Sequence, residues 1–257
     1  MCLVVLRWDP QGPLPLVVAA NRDELHQRPT APAEFWGDAP GVLAGRDLLA
    51  GGTWLGVSSS GRFAALTNYR EGLGAARGEA SRGELVAGFL RGDAAAEVFA
   101  AGLGGLERYG GFSLLLCDGR RLVAVSNRGR PGVSALGPGT YGLSNHLLET
   151  PWPKVERTKA RLAALLERAD APDPDALLEL LADRTGAPDP ALPDTGVGLA
   201  LERALAPVFL AGPVYGTRCS TAVVARRGGG LTFVERRFDA TGLPSGETRQ
   251  ELVVPSR

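Results

Sequence analysis

Short apolar runs bounded by turn-forming residues dominate both ends of the chain. Such runs, closed on either side by Gly, Pro, Asp or Ser, are typical of β-strands. In the first half of the chain they predict strands at residues 2–8, 14–20, 53–57, 62–67, 112–117 and 122–126. At the end of the chain they predict strands at residues 221–225, 231–238 and 247–254. The Pro- and Gly-rich residues 21–52 are predicted to form a loop.

Apolar residues at helical spacing occupy the middle of the chain. Ser81-Arg-Gly-Glu84 has the spacing of a capping box and precedes an apolar run. Residues 155–169 carry an apolar stripe with Arg and Glu on the other face, and shorter helices are predicted at 176–181 and 199–205. Strands at both ends with helices between them predict one α+β domain over residues 1–257, whose terminal strands share a sheet.

Composition narrows the functional classes. The 257 residues carry 28 basic and 28 acidic side chains, so the formal net charge is zero and a nucleic-acid partner is not expected. The longest apolar run, residues 14–20, is too short to span a bilayer, and no secretory signal precedes it, so we expect no membrane insertion. Three cysteines form neither a disulfide framework nor a zinc motif. These features predict a cytoplasmic protein without a metal or cofactor.

Cys2 is the residue for which the sequence indicates a reactive role most clearly. A small second residue normally allows an aminopeptidase to remove Met1, and the mature chain would then begin with cysteine. The α-amino group and the thiol both titrate near neutrality, so the amine can accept the thiol proton without a histidine. The alternative is that Cys2 begins a strand and packs in the core, since free cysteine is commonly buried.

Four polar segments adjoin predicted strands. Asn21-Arg-Asp-Glu24 directly follows an apolar strand, where sheet proteins often place functional groups. An arginine there can favour a thiolate, and an aspartate can orient an ammonium group. Residues 66–70, 142–146 and 215–221 each place Asn or Arg among small hydroxyl residues. Such groups can stabilise an oxyanion or clamp a carboxylate, although each segment alone could equally be a turn.

The remaining reactive residues give weaker signals. His26 and His146 are the two histidines, and no Gly-x-Ser-x-Gly elbow, phosphate loop or His-Glu-x-x-His pair accompanies them. A histidine-based triad therefore has little support. Cys117 lies in an apolar strand and is interpreted as core. Cys219 follows an arginine and is interpreted as structural, although an inward orientation would bring it to the site.

Taken together, these segments resemble the NRDE family, named for its Asn-Arg-Asp-Glu motif, which includes the transport and Golgi organisation protein 2 homologues. The matching features run in family order from residue 1 to about residue 238. They are Met1-Cys2, Ala19–Glu24, Arg28-Pro-Thr30, Ala44–Asp47, Gly51–Gly56, Leu66–Arg70, Ser81–Leu85, Tyr141–Asn145, Thr150–Lys154, Leu192–Gly196 and Tyr215–Arg218.

This family resembles N-terminal nucleophile hydrolases of the choloylglycine and penicillin V acylase type. The resemblance implies a four-layer αββα sandwich with two antiparallel sheets between helical layers. It implies that Cys2 is the nucleophile through its thiol and the base through its freed amine. It also implies that Arg22 and Asp23 flank Cys2, tuning the thiolate and holding the amine. The further residues implied are Asn68 and Asn145, for the oxyanion and the substrate amide, and Arg218, for the charged cluster.

Three functional hypotheses remain open at this point. The first is a cysteine hydrolase that acts on a non-peptide amide C–N bond of a small acyl compound, with no cofactor. The second, suggested by family association, is a carrier of haem or of an acyl or lipid metabolite, with Cys2, His26 and His146 as candidate axial ligands. The third is an interaction module with a vestigial site. If Met1 is retained, the nitrogen of Cys2 stays in a peptide bond and the first hypothesis fails.

Overall fold

The computed structural model describes residues 2–72, 74, 78–129, 132–168 and 171–255. The helices in this part of the chain are α1 (Gly83–Arg91), α2 (Ala96–Ala101), α3 (Pro153–Arg168), α4 (Pro174–Leu180) and α5 (Leu199–Ala204). The strands are β1 (Cys2–Trp8), β2 (Leu16–Leu25), β3 (Thr30–Trp36), β4 (Ala39–Asp47), β5 (Leu55–Ser58), β6 (Phe63–Asn68), β7 (Phe112–Cys117), β8 (Leu122–Ser126), β9 (Gly132–Leu136), β10 (Gly139–Leu143), β11 (Tyr215–Ala225), β12 (Gly230–Phe238) and β13 (Pro244–Val253).

The strands form two antiparallel sheets. The first has six strands in the order β10-β1-β2-β11-β12-β13, and the second has seven in the order β3-β4-β5-β6-β7-β8-β9. In the first sheet, strands from the two ends of the chain pair directly, as β2 lies between β1 and β11. The prediction that the terminal strands share a sheet is therefore confirmed.

Three apolar clusters define the layers. One cluster lies between the sheets and takes alternate residues of β1, such as Val4 and Leu6, with Phe63 and Leu115 from the second sheet. The opposite face of β1, with Leu3, packs under α3 and α4. The outer face of the second sheet packs under α1 and α2. Because each sheet is apolar on both faces, it is covered on both sides, and the result is the four-layer αββα sandwich.

The predicted loop at residues 21–52 is wrong for most of its length. β2 continues to Leu25, and β3 and β4 follow it as a pair. The polar residues that end β2 gave no strand signal, yet they stay paired with β1 and β11. Pro32 is tolerated because β3 is an edge strand with a bulge between Ala31 and Glu34.

The capping box predicted at Ser81 is not formed. α1 begins at Gly83 after Arg82, and no side chain caps it. The Glu84 carboxylate accepts a hydrogen bond from the Tyr109 hydroxyl instead. The sequence also gave no prediction of α2, β9 and β10, because α2 has six residues and β9 is almost entirely exposed, without apolar alternation.

No helix in the described part of the chain is long and apolar enough to span a membrane.

Candidate active site

Cys2 lies at the start of β1, on the face that points toward the second sheet. In the strand register it is directly opposite Arg22 on β2, and Arg22 is directly opposite Cys219 on β11. Directly opposite residues share a face, so these three side chains project together between the sheets. They line a cleft of about 890 Å³ that opens between the two sheets.

The walls of this cleft are strongly charged. Its cationic side chains are Arg22, Arg28 and Arg82, and its acidic ones are Glu24, Asp47, Glu79 and Glu235. Apolar wall positions include Leu25, Pro29, Leu49, Trp54 and Leu66. Such a mixture suits a ligand with one polar and one apolar part, since charged groups fix orientation and apolar surface adds affinity.

Asn145 holds the nitrogen of Cys2. The Cys2 N–H donates to Asn145 Oδ1 at 3.1 Å, and Asn145 Nδ2 donates to the Asn68 carbonyl at 2.8 Å. The Ser144 hydroxyl donates to the carbonyl of Cys2 at 3.0 Å. Both main-chain groups of Cys2 are thus fixed by neighbouring residues of one segment.

The segments around Asn68 and Asn145 lie side by side. The Thr67 hydroxyl donates to the Ser144 carbonyl at 2.6 Å, and the Arg70 N–H donates to the Asn145 carbonyl at 2.8 Å. Asn145 is 1% exposed, whereas Asn68 is exposed and lines the cleft. Two motifs far apart in sequence therefore place two amide side chains at one end of the cleft.

A hydrogen-bonded chain fixes the residue after Asn145. The Thr150 hydroxyl donates to the Leu147 carbonyl, so it accepts from His146 Nδ1, 2.8 Å away. His146 Nε2 then accepts from the Tyr69 hydroxyl at 2.5 Å. This arrangement needs a neutral imidazole, and burial together with Arg70 lowers the pKa of His146.

A buried ion pair lies beside these segments. Arg70 Nη1 donates to the carboxylate of Glu202, and both side chains are at most 7% exposed. The other Glu202 oxygen accepts from the N–H and the hydroxyl of Thr195. Burial lowers the pKa of Arg70, which Glu202 opposes. The pair links the end of β6 to the Asp-Thr-Gly segment and α5.

Asp23 points to the helical side of the first sheet at the same strand end. Its Oδ1 accepts from the Thr217 hydroxyl at 2.7 Å, and burial raises the pKa of its carboxyl while Lys154 lowers it. Lys154 is 2% exposed and donates to the Leu205 carbonyl at 3.1 Å. Burial lowers the pKa of Lys154 to about 8, against the effect of Asp23.

The thiol of Cys2 is not ionised by its surroundings alone. Burial raises its pKa, and the Asp23 carboxylate adds to the rise. The positive charge of the N-terminal amine is the largest effect in the opposite direction, and Arg22 and a hydrogen bond from the Asp23 N–H add smaller ones. A thiol in this position needs a base that removes its proton before it can act as a nucleophile.

Of the other residues of the Asn-Arg-Asp-Glu motif, one has a structural role and two line the cleft. Asn21 is fully buried, and its amide donates to the carbonyls of Leu181 and Val208, both at 2.9 Å. It ties the sheet to the helical layer. Arg22 and Glu24 line the cleft, with Arg22 Nη2 3.8 Å from Glu24 Oε2.

Arg218 lies outside the group of residues that line the cleft. Its Nη1 donates to the carbonyls of Leu25, His26 and Arg28, at 2.9 to 3.2 Å. It sits at the bulge between Thr217 and Cys219, where β11 shifts register against β2. Arg218 therefore holds the backbone of the cleft wall, and its role in the charged cluster stays a prediction.

The remaining cysteines and histidines differ in their environment. Cys219 lines the cleft, where burial and Glu235 raise its thiol pKa well above the ordinary value. Cys117 is 1% exposed in the core between the sheets. His26 Nε2 lies 2.9 Å from the Gly212 carbonyl, and neither histidine is among the described cleft-lining residues. Within the described ranges, no group of three or more His, Cys, Asp or Glu could hold a metal ion.

Several site residues gave no usable sequence signal. Lys154 belongs to a matched motif, and it is one of two lysines in the chain, but nothing local indicated its burial next to Asp23. Arg82, which directly precedes α1, and Glu235 on β12 also reach the cleft. Their positions depend on how the two sheets pack, which local patterns do not encode.

The two-sheet sandwich places a cysteine at the start of its first strand, facing the inter-sheet cleft, as the resemblance in the sequence implies. A family model described as Transport and Golgi organisation 2 matches residues 1–240, and the chain belongs to this family. The resemblance found in the sequence motifs is thereby confirmed.

Similar proteins match over nearly the whole chain. A human transport and Golgi organization protein 2 homolog is 39% identical over 97% of both chains. A Bos taurus homolog of the same name is 40% identical over 98% of this chain and 96% of its own. Among solved structures, a Caenorhabditis elegans N-acylethanolamine-hydrolyzing acid amidase ortholog aligns with 87% of this chain and 92% of its own. Its TM-score is 0.49 and its sequence identity is 12%.

Proposed function

We propose that this protein is a cysteine amidohydrolase of the N-terminal nucleophile type, acting on a non-peptide C–N bond of a small acyl compound. The observation that carries the proposal is the placement of Cys2. Its thiol faces a large cleft, and its nitrogen lies 3.1 Å from Asn145 Oδ1. Removal of Met1 turns that nitrogen into a free amine held beside the thiol by the same asparagine.

The amine supplies the base that the buried thiol needs. It takes the proton of Cys2, and the thiolate attacks the amide carbon. Asn68 is the better candidate for the oxyanion donor, because its side chain is exposed to the cleft. Asn145 uses its Oδ1 for the Cys2 nitrogen and Nδ2 for the Asn68 carbonyl, so its role is to position the nucleophile. Preorganised donors of this kind stabilise the developing negative charge.

The reaction then proceeds through a thioester. The C–N bond breaks as the leaving amine takes the proton from the α-ammonium of Cys2, and the acyl group remains on sulfur. A water molecule, deprotonated by the same α-amine, hydrolyses the thioester and releases the acid. Asp23 holds the ammonium form, since its carboxylate is close enough to Cys2 for their charges to interact.

The first test is the intact mass of the protein purified from its own host, followed by labelling with iodoacetamide. We expect Met1 to be absent and Cys2 to be labelled much faster than Cys219 or Cys117. Cys219 is the internal control. It lines the same cleft as Cys2, and its thiol pKa is strongly raised. Retention of Met1, or equal labelling of the three cysteines, contradicts the proposal.

The second test is hydrolysis of a panel of N-acyl amides by the processed protein. We expect Cys2→Ala to abolish acid release and Cys117→Ala to retain it, because Cys117 lies in the core and outside the cleft. Acid release that survives in Cys2→Ala would assign any activity to another group.

The haem-carrier hypothesis finds no specific support in the geometry. His26 and His146 both use ring nitrogens in hydrogen bonds, to Gly212 on one side and to Tyr69 and Thr150 on the other. A haem titration that changes the Soret spectrum only when Cys2 is present would reopen this hypothesis.

A further inference from the structure

Lys154 is a buried cation that the reaction described so far does not use. It is 2% exposed, lies in the first turn of α3, and its Nζ donates to the Leu205 carbonyl at 3.1 Å. Burying an ammonium group costs free energy, and a cation in the first turn of a helix also lies at the positive end of the helix dipole. A hydrogen bond to a neutral carbonyl does not offset both effects, so the stability of the fold does not explain this lysine.

The two lysines of the chain lie on the same helix in opposite environments. Lys159 is partly exposed, and its Nζ pairs with Glu149 at 2.5 Å. Lys154 is five residues earlier on α3, on the face that packs against the first sheet. An ammonium group is a compact charge whose protonation responds to its surroundings, whereas a guanidinium stays charged. Lys159 therefore provides a matched control for the role of Lys154.

The charges that face Lys154 form a cluster at one strand end. They are Asp23 on β2, Glu202 on α5, Arg70 just after β6 and the thiol of Cys2 on β1. Arg70 and Glu202 pair with each other. Of the facing charges, that of Asp23 has the largest effect on Lys154. In turn, Lys154 lowers the pKa of the Asp23 carboxyl more than any other side chain does, against the effect of burial. Asp23 and Lys154 therefore act as each other's counter-charge.

This balance of charge determines whether the α-amine of processed Cys2 can act as a base. A base must be neutral before it can take a proton. If the α-ammonium were the sole counter-charge of Asp23, losing its proton would leave a buried carboxylate without compensation, and the ammonium form would be favoured. With Lys154 charged, the two cations of the cluster balance its two carboxylates while the amine is neutral. The amine is then available as a base near neutral pH.

We propose that Lys154 is a positioning residue for the base of the reaction: its ammonium balances the Asp23 carboxylate, so that the α-amine of Cys2 can be neutral beside it. The inference rests on the proposed function. Burial lowers the pKa of Lys154 to about 8, so the residue carries its charge at neutral pH. The thiol proton moves to the α-amine, and the new ammonium then shares Asp23 with Lys154. Lys154 keeps its own proton throughout and acts through Asp23.

The test measures the protonation of the α-amine directly by NMR. A fusion protein cut immediately before Cys2 supplies the chain with a free amine, whether or not the host removes Met1. With 15N-labelled cysteine, the amine of Cys2 is resolved from the amides of Cys117 and Cys219, and its chemical shift is followed against pH. In the wild-type protein we expect the amine to titrate below the value of about 7.7–8.0 that is usual for an α-amino group.

Lysine variants separate the charge of Lys154 from its packing. Lys154→Met should move the midpoint of the amine titration upward by at least about half a pH unit, because a neighbouring cation is lost. Lys154→Gln should do the same, and it serves if Lys154→Met does not fold, since an amide can still donate to the Leu205 carbonyl. Lys159→Met removes the lysine that pairs with Glu149 and should leave the midpoint unchanged. Asp23→Asn should move it downward, because a carboxylate favours the ammonium form.

Three outcomes would overturn the inference. They are a wild-type amine that titrates at about pH 8 or above, a midpoint that does not rise in the Lys154 variants, and an equal rise in Lys159→Met. The wild-type titration decides the matter even if neither Lys154 variant folds. Failure of the inference is distinct from failure of the proposed function. A midpoint that rises in Lys154→Met, combined with no hydrolysis by processed wild-type protein, would refute the reaction and leave the role of Lys154 standing.

Discussion

Arg70→Met removes one partner of the buried Arg70–Glu202 ion pair and leaves the carboxylate without its cation. Both side chains are almost fully buried, at 7% and 4% exposure, so water cannot replace the missing charge. Breaking such a pair from one side costs about 3–5 kcal/mol. At about 2–4 °C per kcal/mol for a chain of this size, the midpoint of thermal unfolding should fall by roughly 6–20 °C.

The double variant Arg70→Met/Glu202→Gln distinguishes an orphaned charge from lost packing. Glutamine keeps a side-chain oxygen that can accept from Thr195, as Glu202 does in the structure. If the uncompensated carboxylate is the main cause, the double variant should recover about 2 kcal/mol or more of the loss seen in the single variant. The assay is urea unfolding followed by circular dichroism, with all variants at the same pH.

Arg203→Met is the control for removing an arginine from an ion pair. Arg203 pairs with Asp189 on the surface, where both side chains are about half exposed. Its removal should leave the unfolding midpoint nearly unchanged, because exposed pairs are screened by water. A loss below about 1 kcal/mol for Arg70→Met, or a double variant no more stable than the single one, would refute the reasoning.

Two pH-dependent predictions follow from other buried groups. Lys154 has its pKa lowered by burial to about 8, below the unfolded value of about 10.4, so raising the pH through this window stabilises the folded state. Wild-type stability relative to Lys154→Met should therefore rise by about 2 kcal/mol between pH 7.5 and pH 10 in urea unfolding, and a constant difference would contradict the burial. Tyr69→Phe removes the hydroxyl that donates to neutral His146, so the lowered pKa of that imidazole should rise in an NMR titration. An imidazole pKa that is the same in Tyr69→Phe and in the wild-type protein would contradict the hydrogen bond to His146.

The sequence predicted most of the strands because their apolar runs are buried on both faces. β1, β7 and β8 were predicted to the residue, as each is a short apolar run closed by turn residues. The helix at 155–169 was found from its apolar stripe, and it matches α3 closely. The local pattern of apolar residues was sufficient for strands and helices that present an apolar face to a core.

Local pattern failed where tertiary pairing overrides it. A loop was predicted for the polar residues Asn21, Arg22 and Asp23. In the structure they continue β2 and lie between β1 and β11. Asn21 is accepted in the interior because its amide meets two main-chain carbonyls from the helical layer. The hydrogen-bond partners that satisfy such residues come from far along the chain, so no short window of sequence reveals them.

The sequence motifs named candidate site residues, whose roles stay predictions, but not how these residues are arranged. Cys2, Arg22, Asp23 and Asn68 all line one cleft, and Asn145 contacts the nitrogen of Cys2. Sequence motifs could name these residues, but they could not show that Asn145 uses its oxygen on Cys2 and its nitrogen on Asn68. That division depends on two segments, 66–70 and 142–146, which meet only in the folded protein.

Burying charged groups around Cys2 costs free energy of folding, so their presence there needs a reason other than stability. Lys154, Asp23, Arg70 and Glu202 are all buried near one strand end, and Arg22 keeps a donor without a partner among the described residues. Apolar replacements of similar volume often leave a protein as stable or more stable than buried ion pairs do. A sheet that served only to fold would have no need of them at this place. Their concentration near a cleft-facing thiol, where burial shifts the pKa values of Lys154 and Asp23, is the pattern expected of a functional site.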